Sequence, residues 1–121
     1  LTWSALSGYQ TPCNNQGVAI SDICYSAYNR YCTSQGYDGG FGPIYATSSG
    51  ATLACITGGT NYNTTYSNLS ANHHLPCDGD PWIGQDCNAA IKRYCVSRGH
   101  VSGFGPVEHV GDNLNVVCLD P

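Results

Sequence analysis

The chain has 121 residues, four Lys plus Arg against eight Asp plus Glu, and a net charge of -4; it lacks the basic patch that phosphate neutralisation requires, which argues against nucleic acid and against an anionic membrane surface as partners. Leu, Ile, Val and Phe total 22, a share usual in disordered chains, yet the small net charge and eight cysteines argue against disorder and point to covalent staples as the source of stability. No apolar run approaches the roughly 20 residues of a membrane span.

Read from the N-terminus, every element comes twice. Arg30-Tyr31-Cys32 followed by Gly39-Gly40-Phe41-Gly42-Pro43-Ile44-Tyr45 returns 63 residues later as Arg93-Tyr94-Cys95 followed by Ser102-Gly103-Phe104-Gly105-Pro106-Val107-Glu108. The same offset carries residues 2–7 onto 65–70, and one insertion near His73-His74 aligns Pro12-Cys13 with Pro76-Cys77. The spacing is C-x10-C-x7-C-x22-C in the first copy and C-x9-C-x7-C-x22-C in the second. This is a tandem duplication with units 1–62 and 63–121.

Within a copy, residues 2–7 read as a short strand anchored by Trp3 and Leu6. A loop through Cys13 follows, then a helix from Asp22. Cys24, Ala27, Tyr28, Tyr31, Cys32 and Gln35 recur on one face of it, with Ser21 or Asp22 as cap and Gly36 as stop. The second copy repeats this with Cys87, Ala90, Ile91, Tyr94 and Cys95, capped by Asp86 and stopped by Gly99. A hairpin ends each copy: 41–46 with 52–56, then 104–110 with 115–119. Pro43 and Pro106 place the first hairpin strand at a sheet edge, and the strand bearing Cys55 or Cys118 becomes central, paired on its other side with residues 2–7 or their repeat. The expected fold is α+β: two disulfide-stapled repeats, each a three-stranded antiparallel sheet with one helix, packed as a pseudo-two-fold pair.

The paired cysteine spacing indicates disulfides, since the close C-x2-C or H-x3-H pairs of zinc sites are missing. Cys24 and Cys32 lie about 12 Å apart along a helix, beyond the roughly 7 Å a bridge allows. Two connectivities within each repeat are left. The favoured one joins Cys13 to Cys24, Cys32 to Cys55, Cys77 to Cys87 and Cys95 to Cys118, because the hairpin's return strand should end near the helix C-terminus. With Leu1 first and no Met, the expectation is a mature secreted protein. Asn63-Thr64-Thr65 and Asn68-Leu69-Ser70 are glycosylation sequons at the junction.

Candidate functional residues gather where the copies differ. Arg30 and Arg93, at equivalent helix positions, either hold loop carbonyls or carboxylates or bind a ligand. Near them in sequence order come Tyr37, Asp38 and Tyr45 in one copy and His100, Glu108 and His109 in the other. Trp82 lies in a loop with no counterpart Trp and offers an indole face to a sugar or closes a small core. His73-His74 reads as an exposed linker. The Gly-Phe-Gly-Pro segments lack phosphate-loop spacing, and Asp78-Gly79-Asp80 is too short for a calcium loop, so neither metal nor cofactor is expected. Glu108, the chain's one Glu, with His109 and Arg93 nominally supplies a secreted ribonuclease-type site. The loop 78–84 is the one candidate for an inhibitor's contact loop.

The duplicated Arg-Tyr-Cys and Gly-Phe-Gly-Pro pattern with eight cysteines resembles the cysteine-rich lectins of green seaweeds, the Codium type. The resemblance implies a secreted agglutinin for glycans or glycoproteins bearing galactose or N-acetylgalactosamine, without catalysis. The second copy has the form Ser102 to Glu108, while the first departs from it at Gly39, Ile44 and Tyr45. Duplicated units give two sites whose linkage raises avidity, homo-oligomerisation would multiply them, and nine Tyr with abundant Asn, Ser and Thr provide faces and hydrogen-bonding groups suited to sugars.

Overall fold

The computed structural model describes residues 1–73, 77 and 84–121. The chain is α+β, with two compact units, Leu1–Thr57 and Gly58–Pro121. Residues 58–62, which the sequence repeat leaves with the first copy, fall in the second unit.

Residues 2–7 do not form a strand: α1 (Trp3–Ser7) is helical. Trp3 and Leu6 are both buried, and only a helix puts side chains three apart on one face. Thr2 Oγ1 accepts the Ala5 N–H at 3.1 Å as its N-cap. Then comes α2 (Asp22–Ser34), whose first turn is capped by Ser21 Oγ accepting from Cys24 N–H. The chain leaves it through Gly36 at φ +90°, a conformation glycine adopts without strain. Cys24, Ala27, Tyr28 and Cys32 are buried as the spacing predicts, while Tyr31 is half-buried and Gln35 exposed. The Tyr28 hydroxyl donates to Ala19 O at 2.9 Å, and burial, with Tyr25 adding, pushes its phenol up to about 12.

β1 (Gly39–Ala46) and β2 (Ala51–Ile56) form a two-stranded antiparallel sheet. The expected third strand is missing among the described residues, because the stretch assigned to it is α1. Only the first two residues pair with β2 and its turn, Thr2 with Gly50 and Leu1 with Ala51, the latter two exchanging both main-chain bonds. Pro43 sits where the β1–β2 register shifts between Phe41 and Tyr45, on an edge strand that can spare its missing N–H.

The second unit opens with β3 (Gly59–Thr65), then α3 (Tyr66–Asn72), α4 (Gln85–Ser97), β4 (Ser102–Val110) and β5 (Asn113–Leu119). Its sheet has the order β3-β5-β4. The Cys118 strand is central, as expected, but its outer partner lies upstream of the stretch predicted, which again is helical. Thr65 Oγ1 caps α3 by accepting from Asn68 N–H at 3.0 Å, and Tyr66 and Leu69 point inward at the same three-residue spacing. The cap expected from Asp86 is not made: Gly84 is the N-cap of α4, without a side-chain bond, and Asp86 lies inside the first turn. The α4 face of Cys87, Ala90, Ile91, Tyr94 and Cys95 packs with Leu114, Val116 and Cys118 of β5 and with Tyr66 and Leu69 of α3.

All eight cysteines pair in the favoured connectivity, with Cα–Cα distances of 5.0 Å (Cys13–Cys24), 5.3 Å (Cys32–Cys55), 4.7 Å (Cys77–Cys87) and 5.3 Å (Cys95–Cys118). Each crosslink stabilises by roughly 3 kcal/mol in the chain-entropy picture, where cores this small cannot supply the stability alone.

Candidate functional site

The pleat of the second sheet sorts its side chains. Leu114, Val116 and Cys118 face α4, so Asn113 and Asn115 face the other way. Asn63 of β3 and Glu108 of β4 are both cross-strand partners of Asn115. An amide, an amide and a carboxylate therefore stand in a row across three strands, on the face turned away from the helix. Neighbouring side chains in such a row lie about 5 Å apart, close enough for two of them to bond adjacent hydroxyls of one ring. Beside the row is a depression of about 150 Å³, bordered also by His109, Val110, Asn113 and Leu114. Val110, 81% exposed, supplies an apolar patch.

The first unit has a depression at the corresponding place, about 320 Å³, bordered by Leu1, Thr2, Tyr45, Thr47, Ser49, Gly50, Ala51 and Thr52. Subtracting 63 carries Glu108 to Tyr45, Val110 to Thr47 and Asn115 to Thr52, all three of them lining it. Tyr45, 67% exposed, offers an aromatic face where the second unit has a carboxylate. The chemistry of the two depressions is thus related but unequal.

The other sequence candidates lie elsewhere. Arg30 donates to Tyr9 O at 2.9 Å and to Gln10 Oε1, and Arg93 donates to His73 O at 3.0 Å. Both arginines tie the chain beyond a short helix to the long helix that follows. His100 is held on both nitrogens, Nε2 against the Tyr62 hydroxyl at 2.8 Å and Nδ1 against Leu119 O at 3.2 Å with Asp120 at 3.4 Å. Since a carbonyl only accepts, Nδ1 donates to Leu119 O. Tyr37 is 42% exposed, and Asp38 N–H donates to Ile56 O at 2.8 Å. His109 is edge-on to Tyr66 at 6.3 Å. It lies on the core side of the sheet, beside Leu114, and Glu108 on the outer side. Arg93, on α4, is likewise separated from Glu108 by the sheet.

Trp82, His74 and all of the loop 78–84 except Gly84 lie outside the described residues. Among the described residues no group of three His, Cys, Asp or Glu side chains could hold a metal ion, and no helix is long and apolar enough to cross a membrane. The two sequons differ in access. Asn68 donates to Thr64 Oγ1 at 3.0 Å and accepts from Asn72 at 2.8 Å, whereas Asn63 is exposed.

Asn113, Asn115, Thr47 and Thr52 were not singled out from sequence. The signal was present in the period-two pattern of Asn113-Leu114-Asn115-Val116, which turns both asparagines to the solvent face, but only the register sets them beside Glu108 and Asn63.

His73 supplies a pH dependence. Burial, and then the nearby Arg98 guanidinium, hold its imidazole below the ordinary value of 6.5, while the ring packs edge-on to Tyr94 at 5.4 Å. A group whose folded pKa is depressed binds its proton more readily in the unfolded chain, so stability is full above about 6.5 and falls as pH drops toward the folded value. Thermal unfolding followed from pH 7.5 to 5 should show the midpoint falling with pH, and His73→Gln should flatten that slope. An equal slope in both proteins would exclude His73 as its source.

No protein-family model, curated protein or solved structure matches the chain.

Proposed function

We propose that the chain is an extracellular carbohydrate-binding protein, an agglutinin without catalytic activity that binds without metal and favours galactose or N-acetylgalactosamine. The observation that carries this reading is the pair of shallow sheet-face depressions at equivalent positions, one bordered by the Asn63–Asn115–Glu108 row and Val110, the other by Tyr45, Thr47, Ser49 and Thr52. Neutral amides and hydroxyls with one carboxylate match the alternating donors and acceptors of a sugar ring, and an exposed apolar or aromatic group suits its C–H face. The sugar class follows the seaweed-lectin resemblance. Four disulfides favour an oxidising, extracellular setting. The pseudo-two-fold pairing of the repeats, and any homo-oligomer, belong to the same proposal, since both would set the spacing of sites on a multivalent surface.

The ribonuclease-type alternative is disfavoured by the geometry: Glu108 and His109 point to opposite sides of one sheet, and Arg93 lies across it from Glu108.

Replacing Glu108 with Gln and Asn115 with Ala removes the row's charge and one of its two amides. A hydrogen bond to a charged group is worth about 1.5–3 kcal/mol, so the second site should weaken by roughly 10–100-fold. Agglutination should fall in part, because the first site persists, and adding Tyr45→Ala should abolish it. Unchanged agglutination by the triple variant would sink the assignment.

A further inference from the structure

We propose that the outer edge of β3 is a self-recognition site, where two copies of the chain pair β3 against β3, antiparallel, about a two-fold axis through Tyr62. The two edges of the second sheet are unlike. β4 carries Pro106, Glu108 and a register shift between Phe104 and Glu108, the devices that protect an edge from strand addition. β3 has none of them. Gly59–Thr65 is without charge or proline, and its register along β5 is unbroken from Gly59 opposite Leu119 to Thr65 opposite Asn113.

The direction of the main-chain groups follows from the register. Just beyond the strand on either side, Asp120 N–H donates to Gly58 O at 2.7 Å and Tyr66 N–H donates to Asp112 O at 2.9 Å. In an antiparallel ladder, alternate residues direct both main-chain groups to the same neighbour. Thr60, Tyr62 and Thr64 therefore turn theirs to β5, and Asn61 and Asn63 turn theirs to the outer edge. Both asparagines are exposed, and no described residue bonds their main chain on that side.

The sequence of the edge identifies the occupant. Thr60-Asn61-Tyr62-Asn63-Thr64 reads the same in both directions, so a second copy in register about Tyr62 sets Asn61 opposite Asn63, Thr60 opposite Thr64 and Tyr62 opposite its own equivalent. The parity also agrees. The outward-directed asparagines become the bonded pairs; each pair exchanges two bonds and the axis makes two such pairs, four bonds in all. A slip of one residue would set outward-directed groups against inward-directed ones. Amide then meets amide on the solvent face and Thr meets Thr on the helix face. Such a contact is isologous, the same patch on both copies, and it joins two three-stranded sheets into one of six. Asn61 of the second copy then continues the Asn63–Asn115–Glu108 row, and the depressions beside Glu108 in both copies share one continuous sheet face. Arg98, 5.3 Å from the centre of the Tyr62 ring, brings like charges toward the axis, so pairing should tighten as salt screens them. The inference gives the homo-oligomer a surface, and it stands whether or not the depressions bind sugar.

The test is sedimentation equilibrium and amide hydrogen exchange on the whole 121-residue chain, without sugar, from about 1 μM to 1 mM. The mean mass should rise from that of one chain toward twice that value. Exchange at Asn61 and Asn63 should slow about tenfold or more over the same range, while Thr60 and Tyr62, already paired to β5, change little. Asn61→Pro removes one outward N–H and no bond to β5, a change an edge strand tolerates. It should hold the chain monomeric, whereas Asn61→Ala, which keeps the main chain, should still pair. A single-chain mass throughout would overturn the site. So would a dimer that Asn61→Pro leaves intact, or one whose new protection falls on amides other than Asn61 and Asn63. The exchange readout needs no variant, so it decides the matter even where Asn61→Pro disturbs the fold.

Discussion

Replacing Gly103 with alanine should cost more stability than any other single-methyl change in the second unit. A Cβ there would lie 2.8 Å from Val117 O and 3.1 Å from Cys95 Cβ, and closer still to Cys95 Sγ. The obstacle is a backbone carbonyl of the central strand and a half-cystine, neither of which can swing aside as a flexible side chain would. Gly40 repeats the situation, with a Cβ 2.7 Å from Cys32 Cβ and 3.0 Å from Ala54 O. Overpacking of this kind costs about 1–3 kcal/mol and sometimes more. Here the clash falls on the Cys95–Cys118 crosslink itself, so Gly103→Ala should leave a measurable fraction of chains with two free thiols. Gly99→Ala is the control: φ is +90° but nothing stands within 4 Å of the added methyl, so only backbone strain applies, about 1 kcal/mol. Thiol titration and urea unfolding should rank Gly103→Ala as the more severe. If the two variants match, the close packing of β4 against the Cys95–Cys118 bridge is wrong.

The second large effect distinguishes two crosslinks with the same spacing. Cys32–Cys55 and Cys95–Cys118 both span 23 residues, so loop entropy assigns each roughly 3 kcal/mol. Their surroundings differ. Cys118 is fully buried on the central strand of a three-stranded sheet, whereas Cys55 is half-buried on a sheet of two strands. Removing Cys95 and Cys118 together as alanines therefore adds a cavity cost, about 1–2 kcal/mol, larger than for the Cys32/Cys55 pair, where Cys32 is buried but the Cys55 end is half-exposed. Thermal unfolding should place Cys95→Ala/Cys118→Ala below Cys32→Ala/Cys55→Ala. The reverse order would mean that the half-exposed strand is the better packed of the two.

Where the sequence pattern was self-sufficient, it was readable. The faces of α2 and α4 follow from a 3.6-residue period, the hairpins from turn residues, and the disulfides from the distance between Cys24 and Cys32 along a helix together with a return strand that ends near the helix C-terminus. The failures have one physical origin. Trp3-Ser4-Ala5-Leu6 is too short to show a full period, and the decisive clue was the i, i+3 pair Trp3 and Leu6 behind a Thr cap. Reading that stretch as a strand hid the outer strand of the second sheet, β3, whose polar run Gly-Thr-Asn-Tyr-Asn-Thr-Thr looks like a linker. It becomes a strand because β5 offers it a ladder. The candidate site was legible only at Glu108, His109 and Tyr45. Asn115 and Thr52 are ordinary polar strand residues whose meaning depends on the residue across the ladder, which no local pattern encodes. Arg30 and Arg93 stood out through scarcity of charge, and the structure shows each one bonding a carbonyl of its own unit.

The central claim is that both sheet-face depressions bind sugars without chemistry or metal. The most direct measurement is a glycan array probed with the 121-residue chain in excess chelator, in parallel with the Glu108→Gln/Asn115→Ala/Tyr45→Ala variant. Selective binding to terminal galactose or N-acetylgalactosamine, kept in chelator and lost in the variant, is the predicted result. A blank array from folded, fully oxidised protein, or binding that the variant retains, would contradict it.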